Sequence, residues 1–200
     1  MDSHRNLILA SRSPRRLHLL RQIGMSPTVM PCDIPETFDL SLSPEENASS
    51  LALRKALCVA GQVPEGVIIG ADTIVVLGDE MLGKPDSPRD AVRMLNLLSG
   101  KTHSVVTGFA LVDRPSGRQM SATERTDVTF RDLPAREIEE YVAGGSPLDK
   151  AGAYGIQDDY GAVFVTRIVG CFYNVVGLPL SHLHSALQGF LAGRSTGEEP

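Results

Sequence analysis

Residues 67–77 read Val-Ile-Ile-Gly-Ala-Asp-Thr-Ile-Val-Val-Leu, an almost unbroken apolar run that is rich in β-branched side chains. Such a run predicts a strand buried on both faces, within a sheet that helices cover on both sides. Asp72 breaks the pattern, and a carboxylate buried without a partner is costly. We expect a divalent cation, a lysine or an opening to solvent to compensate it. The alternative is a strand bulge whose backbone N–H groups satisfy the carboxylate.

The segments around this strand alternate between short apolar runs and helical patterns, which predicts an α/β fold. Ser13-Pro14 is typical of a helix start, and Gly24 of its end. Further helices are predicted at residues 43–61, 87–100, 135–143 and 180–191, and further strands at residues 6–10, 105–112, 126–131 and 163–168. Since no repeat or low-complexity linker divides the chain, we expect one domain over residues 1–192 and a flexible tail at 193–200.

The composition is that of a globular protein whose core needs neither a metal nor a disulfide. Of 200 residues, 42% are hydrophobic and 22% are charged, which excludes wholesale disorder or a fibrous protein. Lys and Arg number 19 against 24 Asp and Glu, and the resulting charge of −5 argues against a broad nucleic-acid or membrane surface. No export signal or long apolar segment is present, so we expect a cytoplasmic protein.

Cysteine spacing predicts no covalent framework. Cys32, Cys58 and Cys171 are odd in number, widely spaced and without a CxxC pair, so we expect three buried apolar thiols. Asn47-Ala48-Ser49 matches the N-glycosylation pattern, but without an export signal we interpret the match as accidental.

The segment Ser11-Arg12-Ser13-Pro14-Arg15-Arg16 lies between a predicted strand and a predicted helix. Backbone N–H groups and the helix dipole favour an anion there, and the arginines add positive charge. We therefore expect Ser11, Ser13, Arg15 and Arg16 to bind phosphate. The alternative is an ordinary capped helix with solvated arginines.

Residues 78–85 have the GxxxxGK spacing of a phosphate-binding P-loop but do not fit its structure. Pro85 follows Lys84, supplies no hydroxyl for magnesium and pushes the lysine into extended geometry. We expect Lys84 to meet phosphate as a point charge at the end of a strand. Taken alone, Lys55 in its predicted helix is typical of a solvated surface residue. Glu36 lies in a loop, and the histidines show no metal-ligand spacing.

Several short motifs occur in order along the chain. Beyond residues 11–16 and 70–73 they are Gly83-Lys84-Pro85, Ser99-Gly100-Lys101-Thr102-His103, Leu148-Asp149-Lys150-Ala151-Gly152-Ala153-Tyr154-Gly155-Ile156-Gln157 and Asn174-Val175-Val176-Gly177-Leu178-Pro179-Leu180. Together they resemble the Maf family, the septum-formation-inhibitor nucleotide pyrophosphatases, from about residue 6 to residue 191. Each motif is weak alone, but their order and spacing make the resemblance specific.

The resemblance implies an elongated, mixed and twisted sheet flanked by helices, with two lobes and a central cleft, similar to the inosine triphosphate pyrophosphatases. It implies hydrolysis of a nucleoside triphosphate between its α and β phosphates, with Mg²⁺ or Mn²⁺ as cofactor. This reaction would keep non-standard nucleotides out of nucleic acids. Apart from the substrate we expect no stable nucleic-acid partner and no membrane, and a homodimer is compatible with the family.

By position, the resemblance gives Asp72 the role of proton acceptor and makes Glu36 its second acidic residue, the two together holding the metal. Asp33 is the alternative to Glu36, because Pro35 disturbs the acidic pattern. Arg15, Lys55 and Lys84 match the family's substrate-contacting cations.

Substrate preference follows from two of the motifs. Ala71-Asp72-Thr73 and Gly155-Ile156-Gln157 are similar to the subgroup that acts on dTTP and UTP, whereas the 7-methyl-GTP subgroup has Ser-Asp-Gln at the first. The resemblance makes Arg15, Thr73 and Gln157 the specificity positions, and a glutamine amide can both donate to and accept from a pyrimidine edge. The alternatives are a 7-methyl-GTP pyrophosphatase and a non-catalytic regulator of septum formation that binds nucleotide or protein.

Overall fold

The computed structural model describes residues 6–157 and 160–193 of the chain. The strands are β1 (Leu7–Leu9), β2 (Thr28–Val29), β3 (Gly66–Leu77), β4 (Glu80–Leu82), β5 (Thr102–Arg114), β6 (Gln119–Phe130) and β7 (Val165–Val169). The helices are α1 (Pro14–Gln22), α2 (Pro44–Ala60), α3 (Pro88–Leu98), α4 (Ala135–Ala143), α5 (Phe172–Val176) and α6 (Leu180–Leu191), with 3-10 turns at Ser146–Asp149, Ala151–Ala153 and Tyr160–Phe164. Beyond Gly193, the tail predicted at 193–200 lies outside the described residues.

The strands form one mixed sheet in the order β2-β1-β3-β5-β6-β7, with β4 paired to β3. Strand β1 runs parallel to both β2 and β3, whereas the β3–β4 and β6–β7 pairs are antiparallel. Helices flank this sheet, so the predicted α/β fold with a mixed sheet is confirmed.

The helix starts lie where the capping residues predict them. The Ser13 and Ser87 hydroxyls accept N–H bonds in the first turns of α1 and α3, and Ser43 forms a capping box with Glu46 at the start of α2. Strands β2 and β4 and helix α5 were not predicted, because two to five residues are too few to show a period. Across the described ranges, no helix combines the length and apolar character needed to cross a bilayer.

The described residues pack as two compact units, each made from separated stretches of chain. The first comprises residues up to 72, 107–124 and from 177 onward, and the second comprises residues 73–106 and 125–176. One domain over residues 1–192 stays a prediction.

In the first unit, helix α2 lies against the sheet where small residues face each other. Ala48, Ala52 and Ala56 follow one another at four-residue spacing on α2 and are fully buried. A Cβ on Gly70 of β3 would lie 2.1 Å from the carbonyl oxygen of Ala52, and one on Gly108 of β5 would lie 2.4 Å from that of Ala48. Only glycine permits this approach, which sets the distance between α2 and the two strands.

The prediction of three buried thiols is wrong for two of the cysteines. Cys32, in the loop after β2, forms a disulfide with Cys58 in the last turns of α2, and their Cα atoms are 6.3 Å apart. Only the packing of α2 against the sheet brings these residues together, since 26 residues separate them in sequence. Cys171 is a free, half-buried thiol.

In the second unit, the core contains a cluster of rings around Phe130. Its ring centroid lies 4.7 Å from that of Tyr154 and 4.9 Å from that of His103, both edge-on. The His103 Nε2 and the Tyr154 hydroxyl are 2.7 Å apart. Because burial lowers the pKa of His103 to about 4, the ring is neutral at neutral pH and acts as a core residue.

Replacing Gly70 with alanine is expected to lower the free energy of unfolding by about 1–3 kcal/mol, because the new methyl overlaps the helix backbone. Gly61→Ala is the matched control, since its nearest neighbours would be at 3.7 Å and its φ is −68°. We expect the control to change stability by less than about 1 kcal/mol. Urea denaturation followed by circular dichroism measures both variants, and equal stabilities would contradict the close contact of α2 with β3.

Candidate active site

Asp72 of β3 is compensated by a lysine. The Lys55 Nζ lies 2.6 Å from the Asp72 Oδ1, and the two residues are only 5% and 7% exposed. Of the three compensating groups expected for Asp72, this structure supplies the lysine. The surface position inferred for Lys55 from its helical pattern is wrong, because the close approach of α2 to β3 buries that face of the helix.

A second carboxylate contacts the same ammonium. The Glu36 Oε1 lies 2.5 Å from the Lys55 Nζ, and its side chain is 38% exposed. Asp33 instead pairs with the exposed Arg12 at 2.5 Å. Of the two acidic residues considered in this loop, Glu36 is therefore the one that joins Lys55.

The loop that carries Glu36 is anchored to α2 by Asn47. The buried Asn47 side chain donates from Nδ2 to the carbonyls of Asp39, Leu42 and Ser43, and its Oδ1 accepts from the Asp39 N–H. These contacts fold the chain after Glu36 back onto the start of the helix. They also engage the amide nitrogen of the Asn47-Ala48-Ser49 match inside the protein, which is no place for a glycan.

The turn between β1 and α1 uses both of its serine hydroxyls locally. Ser13 caps α1, and the Ser11 Oγ accepts from the Ser13 N–H and from the Arg16 Nη1, each at 3.2 Å. The turn is thus a capped helix start, and phosphate binding at this turn stays a prediction. Arg15 and Arg16, in the first turn of α1, are half-buried, whereas Arg12 is exposed.

Arg16 reaches from this turn to two backbone carbonyls. Its Nε donates to the carbonyl of Gly177 and its Nη1 to the carbonyl of Ala71, both at 2.9 Å. Burial lowers the pKa of Arg16 from its ordinary value, while the nearby Asp72 and Glu36 carboxylates act in the opposite direction. Sequence reasoning missed Gly177, although it lies in the motif at residues 174–180.

The first unit therefore joins two carboxylates, Asp72 and Glu36, to the cations Lys55 and Arg16. Within residues 6–157 and 160–193, no three His, Cys, Asp or Glu side chains are grouped to hold a metal on their own. Two carboxylates nevertheless suit Mg²⁺, which commonly binds one or two of them and takes its other ligands from phosphates and water. Such an arrangement can hold a metal-bound polyphosphate and orient a water molecule.

The other expected site residues belong to the second unit. Thr73 directly follows Asp72 on β3, and Lys84 is exposed after β4. Gln157, the last residue of the 148–157 motif, is half-buried. The next helix after Lys84 begins only at Pro88, so the P-loop spacing forms no P-loop, as predicted.

Comparison with known proteins agrees with these features. The family described as "Maf-like protein" matches residues 6–190. The dTTP/UTP pyrophosphatase of Moorella thermoacetica is 50% identical over 184 residues, which cover 92% of this chain and 94% of that protein. The dTTP/UTP pyrophosphatases of Desulforamulus reducens and Bacillus cereus are 45% and 46% identical over 186 residues, which cover 93% of this chain and 97% and 96% of those proteins.

Lys55→Met is expected to lower the free energy of unfolding by roughly 3–5 kcal/mol, because it leaves the buried Asp72 carboxylate uncompensated. Adding Asp72→Asn removes that charge and is expected to restore part of the loss. Urea denaturation of both single variants and the double variant closes a thermodynamic cycle. Additive losses would contradict a direct interaction between the two residues.

Proposed function

This chain belongs to the Maf family, and from that premise we propose that it hydrolyses dTTP and UTP to the nucleoside monophosphate and pyrophosphate. The observation that carries the proposal is the Lys55 ammonium held between Asp72 and Glu36. A buried charge cluster of this kind is typical of catalytic sites. The reaction belongs to the cytoplasm, where nucleoside triphosphates are consumed, and a homodimer stays a proposal.

Asp72 is the proposed proton acceptor. A water molecule attacks the α-phosphorus, the bond to the bridging oxygen of the β-phosphate breaks, and pyrophosphate leaves. The Asp72 carboxylate takes the proton of the water, while Lys55 holds its Oδ1 and fixes its orientation. Since Asp72 is nearly enclosed by the protein, little bulk water competes for that carboxylate.

Cations from several segments are proposed to bind the triphosphate. Its charge of about −4 requires more than one of them, and positioned cations stabilise the charge that shifts to the leaving group. We assign this role to Arg15, Lys55 and Lys84, with Ser11 and Ser13 at the turn that precedes α1.

A divalent ion, Mg²⁺ or Mn²⁺, is part of the proposal. Glu36 and Asp72 are the residues that would hold it, because both carboxylates contact the Lys55 ammonium and therefore lie close together. When bound, such an ion polarises a phosphoryl oxygen and neutralises charge. When no metal ion is bound, Lys55 pairs with both carboxylates and keeps them together.

Arg15, Thr73 and Gln157 are the proposed specificity residues. The amide of Gln157 can donate to and accept from a uracil or thymine edge. The thymine methyl discriminates by only about 1–3 kcal/mol, so both dTTP and UTP are expected substrates.

Pyrophosphate release from dTTP, UTP, CTP, dATP, GTP and 7-methyl-GTP, with Mg²⁺ or Mn²⁺, tests the proposal. We expect turnover with dTTP and UTP, and a loss of kcat by roughly 10²–10⁴ in Asp72→Asn, because the variant lacks the proton acceptor. Asp79→Asn, an exposed residue just beyond β3, is the matched control and should retain the activity.

Three outcomes would contradict parts of this proposal. Preference for 7-methyl-GTP would overturn the specificity assignment and keep the chemistry. Full activity in Asp72→Asn would remove the proton acceptor. Binding without turnover of any nucleotide would favour the non-catalytic regulator.

A further inference from the structure

We propose that Arg16 is a positioning residue that holds the backbone next to Asp72, rather than a ligand of the substrate phosphates. The inference rests on the proposed function, and it gives Arg16 a role different from the phosphate contact expected at its turn. It is carried by three oxygens to which the guanidinium donates, namely the carbonyls of Ala71 and Gly177 and the Ser11 hydroxyl.

These acceptors belong to three separate segments of the first unit. Ser11 lies in the turn after β1, Ala71 lies within β3, and Gly177 lies in the segment that leads into α6. A planar guanidinium donates in fixed directions and can therefore set the relative position of three segments at once. Because Ala71 immediately precedes Asp72, a shift of its carbonyl moves the carboxylate that is proposed to accept the proton.

The chemistry of the acceptors favours this role over phosphate binding. Backbone carbonyls are neutral, and a guanidinium that bonds two of them from Nε and Nη1 has turned these donors toward the protein. The positive charge of Arg16 interacts with carboxylates of the protein, since Asp72 and Glu36 act to raise the pKa of Arg16 against the larger, lowering effect of burial. Arg15, the neighbouring half-buried arginine, remains the proposed phosphate contact.

Arg16→Lys separates geometry from charge, because lysine keeps the positive charge but lacks the planar fork. With dTTP as substrate, we expect kcat to fall at least about tenfold while KM stays within about threefold. Arg15→Ala is the contrast and should act mainly by raising KM. Thermal unfolding verifies that both variants are folded.

An NMR measurement on the native chain tests whether Arg16 contacts phosphate and does not depend on an activity assay. The Arg16 Nε–H signal in a nitrogen-15 NMR spectrum, assigned by its loss in Arg16→Lys, should be protected from exchange and stay in place when pyrophosphate is added. The Arg15 signal should move. A shift of the Arg16 signal, or a loss in Arg16→Lys that falls on KM, would overturn the inference. If the native chain hydrolyses no nucleotide, the proposed function fails and the NMR result alone decides the role of Arg16.

The Cys32–Cys58 disulfide carries a second, independent inference: we infer that it is a redox-sensitive tether for the loop that bears Glu36. Cys32 lies four residues before Glu36, and Cys58 lies three residues after Lys55 on α2. The bond therefore ties the start of the Glu36 loop to the helix that carries its ion-pair partner.

The same loop has its second anchor at Asn47. The bonds of Asn47 to Asp39 hold the end of the loop, and the disulfide holds its beginning, with Glu36 between them. Reduction removes the covalent anchor and leaves non-covalent contacts, among them the Asn47 hydrogen bonds and the exposed Arg12–Asp33 ion pair. The Glu36 side chain is already 38% exposed, whereas that of Asp72 is 9% exposed. When the loop loosens, we therefore expect the Glu36–Lys55 ion pair to break more readily than the Asp72–Lys55 pair.

The redox step needs an oxidant with a disulfide of its own, such as glutathione disulfide. The two thiols of Cys32 and Cys58 lose their hydrogens and form one S–S bond, while the S–S bond of the oxidant is reduced to two thiols. A dithiol reductant reverses the exchange.

Amide hydrogen exchange of residues 33–38 tests this tether in the full chain. After treatment with glutathione disulfide, these amides should exchange more slowly than after reduction, and Cys58→Ser should resemble the reduced protein. Cys171→Ser is the matched control and should respond to oxidation like the native chain. Equal exchange in the oxidised and reduced proteins, or failure of glutathione disulfide to form the Cys32–Cys58 bond, would overturn the inference.

Discussion

The ammonium group of Lys55 is the feature on which the rest of the site depends. Burying a lysine and an aspartate together removes both from water, and their attraction does little more than offset that cost. A pair of apolar side chains of similar volume would stabilise the same contact between α2 and β3 at least as well. The charges at Lys55 and Asp72 therefore add little to the stability of the fold, which agrees with the catalytic role proposed for them.

The surrounding structure serves to bring these charges together. Gly70 lets α2 approach β3 closely, so that a residue in the middle of the helix can reach Asp72. Asn47 holds the preceding loop against the same helix, and Glu36 of that loop contacts Lys55. The glycine contact and the Asn47 hydrogen bonds both act on the backbone, and they fix the segments that carry the charged groups.

Sequence reasoning reached the parts of the structure that local chemistry determines. The Ser-Pro starts of three helices act within one turn, and Asp72 stood out because one carboxylate interrupts an apolar strand. Lys55 was misplaced because a helical pattern shows which residues share a face, but not how closely that face meets a glycine on a strand. Cys32 and Cys58 escaped for the same reason, since their contact exists only after α2 has packed.

The two carboxylates have unequal environments, and this gives them different parts in binding a cation. Asp72 is enclosed with Lys55, so separating that pair would leave two buried charges without partners. Glu36 is more exposed, with 38% of its side chain accessible against 9% for Asp72, so water competes for this carboxylate and weakens its pairing with the buried Lys55. Under the proposed function, Glu36 is the carboxylate that would exchange its contact with Lys55 for a hard cation bound to a polyphosphate. Asp72 and Lys55 would stay paired, and Lys55 would keep the carboxylate oriented while the ligands around it change.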